Sequence, residues 1–253
     1  MTGTFAPAPG RAPAIRILAR YTRLEILLAV RRGQAIGFTL AIPVLAIVAV
    51  GLTEVVNLPT GDRLGFVVPG AIALSVMSNA FTSLAIGTGY ERAYGALKRL
   101  GASPLTRFGL IVGKTGAVLL VTAVQALLLA AIGVAAGWRP QVSAIGALTA
   151  LGISTLAVAT FAGLGLLLAA RLRPETTTGA ATVLYVLLLA VSGVMFPLPE
   201  LGRVELLNPL AAYAETLRDV LSYGQPAQAW AWYGLGLWAV LSVYAAASWF
   251  RWE

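Results

Sequence analysis

A succession of apolar runs near 20 residues long, each separated from the next by charged or turn-forming residues, constrains this chain more than any other feature. A helix rises about 1.5 Å per residue, so a run of this length matches the roughly 30 Å hydrocarbon core of a bilayer. Composition agrees: 58% of the residues are hydrophobic and only 11% charged, against about 25% charged in soluble globular chains. Mean hydropathy is +0.84. The 253 residues are therefore read as a single all-α integral membrane domain, 1–253.

Taken in order, residues 1–13 are rich in Ala, Pro and Gly and are expected as a flexible tail. Residues 14–32 form a basic amphipathic helix: Arg16, Arg20 and Arg23 line one stripe, while Ile15, Leu18, Ile26 and Leu27 supply apolar surface. Such a helix lies in the membrane interface with its arginines toward anionic head groups. Its charged region is too long for a cleaved signal peptide, and no small-residue cleavage site follows it. Six spans are predicted within 35–250, at about 35–56, 64–88, 104–136, 142–170, 178–195 and 227–250. Pro43 is expected to bend the first. Pro69-Gly70 stands near the start of the second, and Arg171-Leu172-Arg173-Pro174-Glu175 forms a charged turn after the fourth. Residues 196–226 are an amphipathic stretch opening with Phe196-Pro197 and carrying Glu200, Arg203, Glu205, Glu215, Arg218 and Asp219. Trp230, Trp232 and Tyr233 at one end of the sixth span, with Trp249, Phe250 and Trp252 at the other, read as interfacial aromatic belts.

Six spans place both termini on one side. Fourteen of the 18 Lys and Arg residues fall on that side, and only Arg63, Arg139, Arg203 and Arg218 on the other. The positive-inside rule makes the basic side, and both termini, cytoplasmic. The same bias explains the net charge of +8 without nucleic acid as a partner.

The residue inventory excludes much chemistry. There is no Cys and no His, so a disulfide framework, a thiolate or imidazole metal site and the commonest general base are all missing. No catalytic constellation and no metal site is predicted. No Asp, Glu, Lys or Arg falls near the middle of a predicted span, where such charges mark ion or proton relays. Gly109-Leu110-Ile111-Val112-Gly113-Lys114-Thr115 superficially resembles a phosphate loop, but it has three residues between the glycines where four are needed, and no preceding strand. Gly109 with Gly113, and Gly33 with Gly37, read instead as small-residue helix contacts. Lys114 is expected to snorkel to the cytoplasmic interface. The uncharged polar residues inside the spans, Ser78, Asn79, Thr82, Gln125, Ser154, Thr155 and Thr160, have two readings: interhelical hydrogen bonds, or the lining of a pathway for an amphipathic substrate. Ser78, Asn79, Thr82 and Gln125 are the pathway candidates.

On the cytoplasmic side one polar stretch stands out, Glu91-Arg92-Ala93-Tyr94-Gly95-Ala96-Leu97-Lys98-Arg99-Leu100-Gly101-Ala102-Ser103-Pro104. Tyr90, Ala93, Tyr94, Leu97 and Leu100 recur at three- and four-residue steps, predicting a short amphipathic helix with one apolar face. Glu91 in its first turn and Lys98 and Arg99 in its last suit the helix dipole. Gly101 reads as its C-cap, and Ser103-Pro104 as the N-cap and first residue of the next helix. A helix this short is unstable alone in water. Its apolar face either docks on a partner, or the helix merely joins two spans.

These motifs resemble a known family. Glu91-Arg92-x-x-Gly95-x-Leu97-x-x-Leu100-x-x-x-Pro104 with Gly113-Lys114, Pro69-Gly70, Ser192-Gly193-x-x-Phe196-Pro197, and then Leu201, Asn208-Pro209-Leu210 and Arg218, are similar to the pattern of type-2 ABC exporter permeases, nearest the daunorubicin-resistance and multidrug branch of actinobacteria. The likeness runs over nearly the whole chain. It departs at Ala96 and Lys98, where the family usually has Thr and Glu.

The resemblance implies a coupling helix between spans 2 and 3, formed by Glu91, Arg92, Tyr94, Gly95, Leu97, Leu100 and Pro104, that sits on a separate cytosolic ATPase. Arg16, Arg20 and Arg23 of the interfacial helix would share that contact. It further implies a re-entrant helical hairpin between spans 5 and 6, with Phe196 and Pro197 at an outer gate. The complex would hold two copies of the ATPase and a second permease subunit, identical or homologous, in the plasma membrane of a bacterium. This chain would bind no cofactor, with ATP and Mg on the partner, and would be non-catalytic. The function so implied is efflux of a drug-like or other amphipathic compound; the alternatives are export of a glycolipid or polysaccharide, and a non-ABC ion-coupled carrier.

Overall fold

The computed structural model describes residues 13–31, 33–51, 62–195 and 208–249, and every regular element among them is helical. Helix α1 is Ala14–Arg31. Helix α2 is Gly33–Ala46, continued by a π-turn Ile47–Gly51. Helix α3 is Arg63–Ala93, α-helical except for a π-segment Ser78–Ser83. Then come α4, Ala96–Gly101; α5, Arg107–Ala135; α6, Ala144–Ala169; and α7, Pro174–Ala190. Helix α8 is Pro209–Leu217 with a π-turn Arg218–Ser222, and α9 is Ala229–Trp249.

The starts of these helices are written in their caps. Asp62, Thr106 and Ser143 accept from the amides of Gly65, Gly109 and Gly146 at 2.8, 3.0 and 2.9 Å, each satisfying one of the orphan donors of a first turn. Asn208 does the same for Leu210 at 3.0 Å, followed by Pro209 at the first helical position. Pro174 likewise opens α7, so this helix begins four residues before the predicted 178 and absorbs the end of the expected charged turn. Ser103-Pro104 does not open α5. The Ser103 hydroxyl donates to the Leu100 carbonyl at 2.6 Å, closing α4, and Thr106 is the cap that starts the next helix.

Four of the described helices, α3, α5, α6 and α9, are long and apolar enough to cross a membrane. The first and fifth expected spans correspond to α2 and to the 17-residue α7, which fall short of that length. The helices do not share the interior equally. In the most apolar window of α3, 94% of residues are buried, against 28% for α5 and for α9. Helix α3 is thus the central post, and α5 and α9 keep apolar flanks outward for lipid or for another subunit.

Pro69 inside α3 has a specific consequence. Proline has no N–H to give to the carbonyl four residues earlier, here that of Gly65. The Ser222 hydroxyl donates to this carbonyl instead, at 2.7 Å, and itself accepts from the Trp138 indole N–H at 3.1 Å. Next to it, Arg218 donates to the carbonyls of Phe66, Gly193 and Val194 at 3.0–3.1 Å and lies 3.7 Å from the centre of the Phe66 ring. Asn208 ties the other end of α8 to the last turn of α7, donating to Leu188 and Val191 at 3.0 and 3.1 Å. Helix α8, in the stretch where the hairpin is expected, is therefore a packed element seated at Pro69 of α3. The first limb of the expected hairpin, including Phe196 and Pro197, lies outside the described residues, as do most of the tail and of the loop after the first span.

Candidate functional site

The stretch predicted as one amphipathic helix is divided. Helix α3 runs on to Ala93, Tyr94 caps it, and Gly95 takes φ +70°, ψ 12° before α4 begins at Ala96. This left-handed residue lets the chain turn while its amide still donates to the Arg92 carbonyl at 3.0 Å. Because the helical phase is lost at Gly95, the predicted apolar face separates into two surfaces. Leu97 is fully buried, in a cluster with Tyr21 of α1, Leu105, Leu110 and Ala170, against which Ile17 and Leu100 pack. Tyr94 is 77% exposed and stacks on Tyr90 with ring centroids 6.1 Å apart. Lys98 and Arg99 are exposed too. The docking partner of Leu97 and Leu100 is thus this chain's own core, and the outward surface consists of the two tyrosines and the two cations.

Lys114 does not snorkel. Its side chain is 2% exposed, and its ammonium lies 2.7 Å from Glu91 Oε2 and 2.9 Å from Glu25 Oε1. The Tyr21 hydroxyl donates to the same Glu25 carboxylate at 2.5 Å. Three helices, α1, α3 and α5, are joined at this one cation. Burial, reinforced by the Glu25 charge, raises the Tyr21 phenol well above its ordinary range. Close approach makes the junction possible: a Cβ on Gly113 would fall 2.4 Å from the Tyr21 ring, so α1 rests directly on the α5 backbone there. Gly109 faces its own capping turn, and nothing among the described residues lies within 4 Å of a Cβ on Gly37, so neither makes the expected helix contact among them. Beside the junction is a cavity of about 130 Å³, walled by Glu25, Glu91, Lys114, Thr88 and Asn79 and by aliphatic side chains of α1 and α5.

Arg92 ties this corner to the turn between α6 and α7 by donating to the Leu172 carbonyl, which also accepts from Thr177 at 3.3 Å. Arg16, Arg20 and Arg23 stay exposed on α1. The interior polar residues are mostly paired between helices. Asn79 donates to Gln125 Oε1, which also accepts from Ser75 at 3.2 Å, while the Gln125 amide donates to Thr39 at 3.2 Å. Ser78 donates to Tyr185 at 3.2 Å, Ser154 bonds Tyr213 at 2.8 Å, and Thr160 donates to the Leu235 carbonyl at 3.3 Å. Thr155 returns to its own helix at Leu151. Thr82 Oγ1 has no partner among the described residues. Asn79 and Ser78 thus bond to different neighbours, α5 and α7. Sequence reasoning passed over Glu25, although its placement four residues after Tyr21 on an otherwise basic helix was a visible signal.

The comparisons agree with this architecture. The family described as ABC-2 type transporter matches residues 18–221. Among curated proteins, "Probable multidrug ABC transporter permease YbhR" of Escherichia coli K12 and its counterpart in Escherichia coli O157:H7 are each 25% identical over 169 residues. The alignments cover 64% of this chain and 45% of each relative, so the chain spans less than half the length of the curated relatives it matches. An all-helical, deeply apolar fold, with the family match running from α1 to the end of α8, places this chain in the ABC-2 type transporter family, whose members are membrane subunits of ABC transporters.

Proposed function

We propose that this chain is the membrane-spanning, non-catalytic subunit of an ATP-driven exporter of a drug-like or other amphipathic compound, nearest the daunorubicin-resistance branch. It works with two copies of a cytosolic ATPase and a second permease subunit, in a bacterial plasma membrane with six spans and cytoplasmic termini. The observation that carries the reading is the corner at Gly95. Exposed Tyr90 and Tyr94 at the end of α3 and Lys98 and Arg99 on α4 flank a buried Leu97, and Glu91 of α3 is ion-paired to Lys114 of α5. A surface anchored in this way can receive a push from a nucleotide-driven partner and pass it to α1, α3 and α5 together. Aromatic and cationic side chains on a rigid base are also what protein interfaces favour. Arg16, Arg20 and Arg23 belong to the same contact in this reading, and Phe196 and Pro197 to the outer gate. Ser78, Asn79, Thr82 and Gln125 remain the pathway candidates, with Asn79 and Gln125 bonded to each other between α3 and α5.

The test is purification from native membranes in mild detergent, with assay of what co-elutes. The expected result is a stoichiometric soluble protein with vanadate-sensitive ATPase activity, stimulated by exported compounds. Tyr94→Asp should release that partner while leaving the permease's thermal stability unchanged. Elution of a stable permease alone, or ATPase association indifferent to Tyr94→Asp, would overturn the docking assignment. Substrate stimulation by lipid-linked sugars in place of drugs would redirect the substrate class.

A further inference from the structure

A second cavity, sharing no wall residue with the one at the Lys114 junction, has a different character. It is a groove of about 400 Å³ between α6, α7 and α9, walled by Leu164, Leu168, Leu184, Leu188 and Trp238. Arg171 and Trp249 close one end. Arg171 is the only charged one among the described residues lining it; it is exposed and lies 5.0 Å from the centre of the Trp249 ring. Among the described residues no carboxylate lies within ion-pairing distance of it. Phe81 and Pro209, both buried, line it as well.

We infer that this groove binds one acyl chain of an anionic phospholipid from the leaflet on the Arg171 side, with the phosphate held by Arg171. Length and charge both favour that occupant. Trp238 and Trp249 are eleven residues apart on α9, which at 1.5 Å per residue is about 16 Å, close to half the roughly 30 Å hydrocarbon core. The apolar part of the groove is thus one leaflet deep, and its cation stands at head-group level. The guanidinium fork matches phosphate oxygens and keeps its in-plane donors available while its face rests on the indole. Trp249 itself occupies the interfacial depth where indoles accumulate. A neutral apolar occupant would leave the arginine without a counter-charge from the described residues. A second copy of the chain would need a complementary acidic group, whereas the membrane surface supplies anionic phosphate at high local concentration. The inference rests on the groove alone, so failure of the transport reading would leave it standing.

The experiment is tryptophan quenching of the full chain in phosphatidylcholine vesicles doped with brominated phosphatidylglycerol or, at equal mole fraction, brominated phosphatidylcholine. The expected result is that the brominated anionic lipid quenches at about five-fold lower mole fraction, one cation's worth of preference. Arg171→Gln should abolish that preference and Arg171→Lys retain most of it, and Trp238→Phe should remove the lipid-specific component. Equal quenching by the two lipids, a preference surviving Arg171→Gln, or an unchanged lipid-specific component in Trp238→Phe would each overturn the assignment. The chain has no Cys, so a single Leu184→Cys variant reports the competing occupant: a disulfide between copies in the membrane would refute lipid occupancy, and its absence supports it.

Discussion

The Lys114 ammonium lies 2.7 Å from the Glu91 carboxylate, 23 residues away in sequence, and so joins the C-terminal end of α3 to α5, on which α1 packs. With Glu25 at 2.9 Å, two carboxylates share one buried cation. Breaking a buried ion pair from one side costs about 3–5 kcal/mol, because the remaining charge is stranded. Lys114→Met should therefore lower thermal stability in detergent by that order, and Glu91→Gln by less, since Glu25 still holds the lysine. Combining Lys114→Met with Glu25→Gln and Glu91→Gln should recover most of the loss. Equal penalties for the single and triple variants would show that the charges are not coupled.

Gly113 and Tyr21 form the close contact beneath that ion pair. A Cβ at Gly113 would stand 2.4 Å from the Tyr21 ring, so Gly113→Ala must push α1 away or tilt the ring, at about 1–3 kcal/mol for overpacking. The penalty should shrink in a Tyr21→Leu background. Thermal midpoints of the four members of the cycle measure it, and additivity would refute the contact.

Gly95 turns the chain with φ +70° and has open space around it, nothing lying within 4 Å of an added Cβ. Alanine there meets only the left-handed backbone penalty, roughly 1–2 kcal/mol. Gly95→Ala should weaken coupled ATPase activity modestly. Gly95→Pro, whose ring demands φ near −65°, should abolish it while expression persists. Full activity in the proline variant would remove the Gly95 turn from the coupling path.

Asn79 and Gln125 bond each other between α3 and α5, and Gln125 reaches on to Thr39 of α2. Interhelical hydrogen bonds in membranes are worth about 0.6–2 kcal/mol. Asn79→Leu and Gln125→Leu should each destabilise within that range, and the double variant by less than the sum. Independent effects on stability, or altered substrate stimulation without a stability change, would indicate that these side chains serve the pathway and not the helix packing.

Apolar length made the long helices α3, α5, α6 and α9 legible in the sequence to within a few residues, whereas the local signals that start them or their neighbours, Asp62, Thr106, Pro174 and Pro209, were not singled out as helix starts. The outward Lys98 and Arg99 were legible too, whereas the turn at Gly95 was not: periodicity carried one helix through it and set Tyr94 on the face of Leu97. What periodicity could not show is which apolar residue finds a partner. Leu97 and Tyr94 stand at helical spacing, and a single left-handed residue sends one into the core and leaves the other outside. Nor could hydropathy show that Lys114 is buried, since the carboxylates that neutralise it come from Glu25 and Glu91 on two other helices. The proline break in α3 is visible at Pro69, but the hydroxyl that takes up the orphaned Gly65 carbonyl belongs to Ser222, 157 residues later. Local chemistry sets where helices begin and end, whereas the fate of a buried charge or an unpaired carbonyl depends on groups that only packing brings within 3 Å.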